Sequence, residues 1–289
     1  MQIDIEKIRR EKPIQQLLQF SLVNINKPSG PTSFKVSQSV RRALGLKKGA
    51  HMGTLDPMVT GVLPVTLGRA CRLAEYFMHR DKIYIGLMRL HGDIGEDELR
   101  DEMKKFLGTI TQIPPKRSAV KRAPRQRLVR RFELLEKYKR HAQFIAEVEA
   151  GTYIRMLVHE LGENACGAHM LKLHRTKAGM FDESTMWDYD EFQKRVDRYQ
   201  QGDEDAIREV LIPAEIVSAL MPVAQIKDET VRKAYFGQPL RKEDYMEFPD
   251  LEEETRFCLF HGNTFIAVQR KVTQDDIVGK YDFVLTQNI

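Results

Sequence analysis

Residues 51–64 read HMGTLDPMVTGVLP, and the interpretation of the whole chain turns on them. A proline ring bars the preceding residue from the helical region, so Asp56 is held extended or in a turn. The surrounding stretch, Gly49 to Gly68, is rich in Gly, Pro and Thr and is predicted to be mostly loop. Two readings of Asp56 stand side by side. One is an Asx-turn residue that organises the loop; the other is a carboxylate displayed from a rigid loop as nucleophile or general base.

Working outward, Leu22 to Ile25 predicts a short buried strand that ends at the turn Lys27-Pro28-Ser29-Gly30-Pro31. A helix then starts with Thr32 or Ser33 as cap, carries Val36, Val40, Ala43 and Leu44 on one face, and stops at Gly45. Residues 83–90 (IYIGLMRL) and 144–149 (FIAEVE) read as strands, and 96–107 as a helix with acids first and lysines last. Beyond Gly151-Thr152, Ile154, Leu157, Val158 and Leu161 define the apolar face of another helix, with Gly162 as its expected stop. An acidic segment, 182–221, holds the only tryptophan, Trp187, and reads as helical. After Pro222 the texture changes to short strands: 256–260 and 264–270 flank His261-Gly262-Asn263 as a hairpin, and 281–285 alternates. The expected organisation is an arm (1–21), a large mixed unit (22–221) and a small β-rich module (222–289).

The chain has 289 residues, 42% hydrophobic and 30% charged, which supports a sizeable core. It contains no run of about 20 apolar residues of the kind that crosses a bilayer, and its N-terminus lacks a secretory apolar segment. Three separated cysteines, with no C-x-x-C pair, argue against a disulfide framework or a cysteine zinc site. The expectation is a soluble, reduced, cytoplasmic protein. Charge is unevenly placed. Residues 1–181 hold 33 Lys and Arg against 18 Asp and Glu, a balance of +15, whereas 182–221 stand at −7 and 222–289 at −3. So basic a first part favours a polyanion, nucleic acid before membrane.

Several side chains then become candidates. Arg155 lies about 100° round its helix from the apolar face, either as a solvated flank or as the partner of a carboxylate, a task its planar fork suits. Tyr84 is either core packing or an aromatic for stacking on a base. Residues 116–131 hold 8 Lys and Arg and no acid, so Lys116, Arg117, Lys121, Arg122 and Arg125 are candidate phosphate contacts beside the plain alternative of a solvated face. No metal-ligand spacing, P-loop or dinucleotide fingerprint occurs.

The motifs HMGTLDPMVTGVLP (51–64), Lys82-Ile83-Tyr84, GTYIRMLVHELG (151–162) and LHRTKAG (173–179) together resemble the TruB/dyskerin family of pseudouridine synthases. The similarity runs in order over about 22–181. It continues more weakly through IKDETVRKAYFGQPL (226–240), which looks like the start of a PUA domain. Within the family the chain is most similar to the archaeal dyskerin-like branch. That resemblance implies an α+β fold: a mixed, mainly antiparallel sheet with flanking helices, plus a small C-terminal PUA β-barrel. It implies isomerisation of uridine in RNA without cofactor or metal. Asp56 matches the catalytic aspartate, Arg155 its partner, and Tyr84 the residue that stacks on the base and serves at C5. Leu173 packs near the uracil, His51 faces the flipped nucleotide, and Lys82 and Tyr153 are further substrate-binding candidates. The implied partners are tRNA, rRNA, H/ACA guide RNA, small Nop-type and Gar-type proteins and a kink-turn-binding protein. A stand-alone enzyme acting on the tRNA T-loop is the alternative. The net-acidic C-terminal module departs from expectation for an RNA grip, which directs attention to a local patch at Lys227, Arg232 and Lys233.

Overall fold

The computed structural model describes residues 2–115, 120–274 and 276–285. In chain order its first half comprises α1 (Ile5–Glu11), α2 (Ile14–Gln19), β1 (Phe20–Lys27), α3 (Ser33–Ala43), β2 (Gly49–His51), β3 (Thr60–Gly68), α4 (Ala74–Met78), β4 (Lys82–Leu90), α5 (Glu96–Lys104), β5 (Gly108–Gln112), β6 (Arg125–Tyr138) and β7 (His141–Val148). There follow α6 (Ile154–Asn164), β8 (Ala168–Ala178), the two-residue β9 (Phe181–Asp182) and β10 (Trp187–Asp188), α7 (Tyr189–Gln200), α8 (Glu204–Val210) and β11 (Ile212–Pro213). The C-terminal strands are β12 (Val223–Ile226), β13 (Leu240–Arg241), β14 (Tyr245–Glu247), β15 (Arg256–His261), β16 (Thr264–Gln274) and β17 (Ile277–Val284), with α9 (Val231–Tyr235) between β12 and β13.

The large sheet runs β10-β1-β3-β8-β4-β7-β6-β5, with β11, β2 and β9 attached at its margins. Every pairing in it is antiparallel except β1 with β10 and β3 with β8. The mixed, mainly antiparallel α+β architecture is therefore as the resemblance implied. A second, six-stranded sheet ordered β13-β17-β16-β15-β12-β14 forms a PUA-like, nearly closed barrel. Its β15–β16 hairpin turns at Gly262-Asn263, since His261 pairs with Thr264.

One expectation is corrected. Gly49 to Gly68 is not mostly loop, because Thr60 to Gly68 is a central strand paired with β1 along its length, Lys27 to Gly61 through Phe20 to Gly68. Pro64 is tolerated there because it falls between the two short partners on the other edge, β8 at residues 60–61 and β2 at 65–67; no ladder needs its missing N–H. Residues 1–21, read from the sequence as an arm, form two short helices that pack onto the body of the protein. Ile8, Leu17 and Leu18 are buried, Lys12 pairs with the buried Glu215 at 2.5 Å, and the Asp4 amide donates to Asn263 of the barrel hairpin. Helical spacing of apolar residues in 1–21 is masked by the charges between them.

Burial explains the central strands. Val23 and Ile25 of β1, with Leu63, Val65 and Leu67 of β3, join the core shared with α3, α5, α6 and α7. Phe20, Leu22 and Val62 face the other way, into a second core built with α1, Phe77 and the barrel residues Phe260 and Phe265. Strands covered on both faces read as continuous apolar runs, without alternation. Among the described residues, no helix is long and apolar enough to cross a membrane.

Candidate active site

The loop between β2 and β3 is pinned from below. Lys27 closes β1 and is fully buried, and its Nζ donates to the carbonyls of Pro28, Pro57 and Val59, each at 2.8 Å. Burial lowers the pKa of this ammonium, and the nearby negative charge of Asp56 opposes the shift. The Ser33 hydroxyl, on the first turn of α3, accepts from the Leu55 amide at 2.8 Å and donates to the Leu55 carbonyl at 3.0 Å. Gly30 N–H donates to the Pro57 carbonyl and Val59 N–H to the Asp56 carbonyl. The backbone on both sides of Asp56 is thus fixed, while its side chain is 47% exposed.

The start of α6 supplies the second group. The Thr152 hydroxyl donates to the Glu149 carbonyl, and Gln112 of β5 clamps Tyr153 by accepting from its N–H at 2.9 Å and donating to its carbonyl. Ile154, Leu157, Val158 and Leu161 bury one face of the helix, which runs past Gly162 to Asn164. Arg155 turns outward, and its Nη2 lies 2.9 Å from Oδ2 of Asp56, 99 positions away in the chain. Both side chains are about half exposed, so the pair contributes only about 0–1 kcal/mol to folding. Stability alone does not account for it.

Tyr84 and Leu173 are each 8% exposed and belong to the main core. They are mostly covered from solvent, more so than a residue stacking freely on a base would be. Tyr84 of β4 pairs with Arg175 of β8, which pairs in turn with Gly61 of β3. Two strand spacings put Tyr84 about 10 Å from Gly61, in the same row that carries the Asp56 loop. Arg175 was missed from the sequence as a site residue. It is 1% exposed, donates from Nε to the Val62 carbonyl at 2.8 Å and from Nη2 to the Gly53 carbonyl at 3.0 Å, and so ties the loop to the sheet. The available signal was a charge at an inward position of the strand. His51 rests against Ser37 and Thr54. Burial and then the positive charge of Arg175 hold its pKa below the usual histidine value.

Lys82 is 6% exposed and donates to the carbonyls of Met78 and Arg80. Burial first, then Arg175, push its pKa down to about 8. The sign follows: below pH 8 the buried ammonium is charged in both folded and unfolded chains and opposes folding. As pH rises from about 8 to the unfolded value near 10.4, the folded protein releases its proton first, so stability is gained. The stability of wild type relative to Lys82→Gln is expected to increase across this window by on the order of 3 kcal/mol. Urea titrations at pH 7 to 10 check it; a difference that stays flat excludes the shifted lysine.

Lys116 and Arg117 lie outside the described residues. Lys121 and Arg122 are exposed and Arg125 is half-buried at the start of β6; none of the three has an ion-pair partner among the described residues. Later members of the basic run do: Arg127 with Glu149, Arg130 with Asp81 and Arg131 with Glu133. Arg125 pairs across the sheet with Gln112, the residue that clamps Tyr153, so the unpaired cations lead toward the start of α6. In the barrel, Lys233 is bound to Asp244, and Arg232 lies over the exposed ring of Phe236. Among the described residues, no group of three or more His, Cys, Asp or Glu could hold a metal ion.

This arrangement, a carboxylate and a guanidinium on a mixed sheet with an attached barrel, belongs to a known class. Residues 41–154 match the TruB family pseudouridylate synthase N-terminal domain, and 155–218 match the tRNA pseudouridylate synthase B C-terminal domain. The chain belongs to the TruB family of pseudouridine synthases, isomerases that act on uridine in RNA. A probable tRNA pseudouridine synthase B from Pyrococcus abyssi is 43% identical over 238 residues, covering 80% of this chain and 70% of the relative. Its counterpart from Archaeoglobus fulgidus is 38% identical over 267 residues, covering 90% and 81%. Among solved structures, a Cbf5-Nop10-Gar1 complex matches with TM-score 0.85 and 34% identity over 96% of this chain and 88% of that one. An H/ACA RNP bound to a substrate RNA containing 2'-deoxyuridine matches with TM-score 0.85 and 32% identity, covering 96% and 89%.

Proposed function

We propose that this pseudouridine synthase is the catalytic subunit of an H/ACA ribonucleoprotein, with Asp56 as its catalytic carboxylate, Arg155 as the partner of that carboxylate and Tyr84 at the base. The observation that carries the assignment of roles is the 2.9 Å contact between Asp56 and Arg155 on an exposed, rigidly held loop. In the reaction the C1′–N1 bond of uridine breaks, the uracil turns, and a C1′–C5 bond forms. The proton on C5 leaves and N1 ends protonated, so no oxidant, reductant or water is consumed. Attack of the carboxylate on C1′ or on C6, or removal of the 2′ proton, each requires an anionic oxygen beside the ribose. The target must first leave its stack, which costs a few kcal/mol. A nucleotide seated over the half-exposed pair would desolvate Asp56, and the adjacent guanidinium would keep it ionised. Tyr84 and Leu173 border the uracil on this reading, with His51, Lys82 and Tyr153 around them, and residues 222–289 act as a PUA-like RNA-binding module.

Likeness to Cbf5, which occurs in a complex with Nop10 and Gar1 and in an archaeal box H/ACA sRNP complex with Nop10, supports a Nop-type and a Gar-type partner; guide RNA and a kink-turn-binding protein complete the assembly on this reading, with rRNA or tRNA as target. On this reading the chain acts in the cytoplasm. A second reading, a stand-alone enzyme for the tRNA T-loop, is favoured by the names of the curated relatives. Tritium release from 5-tritiated uridine separates the two: conversion only with guide and partners supports the first, and full turnover of tRNA by the chain alone supports the second.

The unpaired cations give a further expectation. Neutralising Lys121, Arg122 and Arg125 together should reduce the slope of log affinity against log salt by about 2, the counterion release expected from three lost contacts to a single strand. Filter binding from 50 to 200 mM salt checks this, and an unchanged slope returns these residues to a solvated face.

A further inference from the structure

We propose that Phe34 and Met58 form an apolar platform that receives a base flanking the target uridine; this deepens the functional reading above and rests on it. Phe34 is 63% exposed on the first turn of α3, and Met58 is 73% exposed two residues after Asp56. Their segments are sewn together. Ser33 beside Phe34 holds both backbone groups of Leu55, Gly30 binds Pro57, and Lys27 grips Pro57 and Val59. Two residues span at most about 7 Å, which keeps Met58 at the rim of the Asp56 site. Met58 Sδ lies 3.8 Å from Ser29 Oγ, on the turn that leads into α3, and exposed apolar side chains that share one patch mark an interaction surface.

The occupant follows from position and charge. Any nucleoside presented to Asp56 brings its chain neighbours over the same rim. The only acid in segments 27–35 and 55–60 is Asp56, whereas Lys35 lies exposed beside Phe34 and Arg155 faces the loop. Arg155 is engaged by Asp56, so the exposed Lys35 is the cation these segments offer, and a lysine beside an apolar ring fits a nucleotide, phosphate at the ammonium and base face on the ring. Flipping the target deprives its neighbour of a stacking partner, and an aromatic ring with a polarizable thioether replaces that contact.

The test is a coupling cycle in the full-length Asp56→Asn chain, with unmodified tRNA and a guide–target duplex as probes. Phe34→Ala with Met58→Ala should weaken binding at least about fivefold with an unchanged salt slope, and Phe34→Trp should retain affinity. An abasic residue directly 5′ or 3′ of the target uridine should weaken the intact platform by a similar factor, and the truncated one less than twofold. Coupling on either side in either RNA supports the platform. An abasic penalty that is the same with and without the two side chains, in both RNAs, overturns it. Binding is read whether or not wild type converts the RNA, so inactive wild type would strike the functional reading while the cycle still decides the platform.

Discussion

Asp56→Asn is expected to lower isomerisation by at least about 10⁴-fold, a loss typical of removing a group that acts directly in the chemistry, while RNA affinity stays within severalfold. The side chain is half exposed, and among the described residues its ion-pair partner is Arg155, an exposed contact with little weight in folding. The bonds that shape the loop are made by the Asp56 carbonyl, by Leu55 and by Pro57, and all survive an isosteric amide. Lost activity therefore cannot be traced to a lost fold. An amide carries no negative charge and cannot hold a proton or a glycosyl bond as a carboxylate does, so each chemical route is blocked at its first step. Tritium release and filter binding on the same preparation measure the two quantities. Equal turnover in variant and wild type would defeat the assignment of Asp56.

Elements with one buried face were legible in the sequence. Val36 and Val40 of α3, Leu99 and Met103 of α5, and the alternating burial of β4 lie where their periodicity put them. The partnership of Asp56 and Arg155 is a different matter: 99 positions separate them, and nothing in local spacing joins them. Only the resemblance of their surrounding motifs did so. Strand β3 escaped because residues buried on both faces lose the period of two, and because Gly61 and Pro64 look like breakers until the partners on each edge are known. Lys27 and Arg175 escaped for a related reason. A cation with no exposed surface is expensive unless backbone carbonyls satisfy it, and carbonyls leave no mark in side-chain patterns. Here Lys27 finds three and Arg175 two.

The row Gly61–Arg175–Tyr84 carries the second large effect. Gly61 has φ of 103°, and a Cβ placed there would lie 2.2 Å from the Arg175 carbonyl oxygen and 2.8 Å from its nitrogen. Neither atom belongs to a flexible side chain, so relief requires β3 and β8 to separate. That movement would draw the Arg175 guanidinium from the Val62 and Gly53 carbonyls and release the loop bearing Asp56. Gly61→Ala is therefore expected to destabilise the chain by more than about 4 kcal/mol, lowering the melting temperature by about 10 °C. The comparison is Gly30→Ala. Gly30 has φ of 112° but no atom within 4 Å of the added carbon, so it carries backbone strain alone, about 1–2 kcal/mol. If Gly61→Ala melts no lower than Gly30→Ala, the close approach of the two strands is not what holds the site. If it melts far lower, the carboxylate is positioned by backbone packing three strands deep, and the arginine beside it acts on a loop already fixed in place.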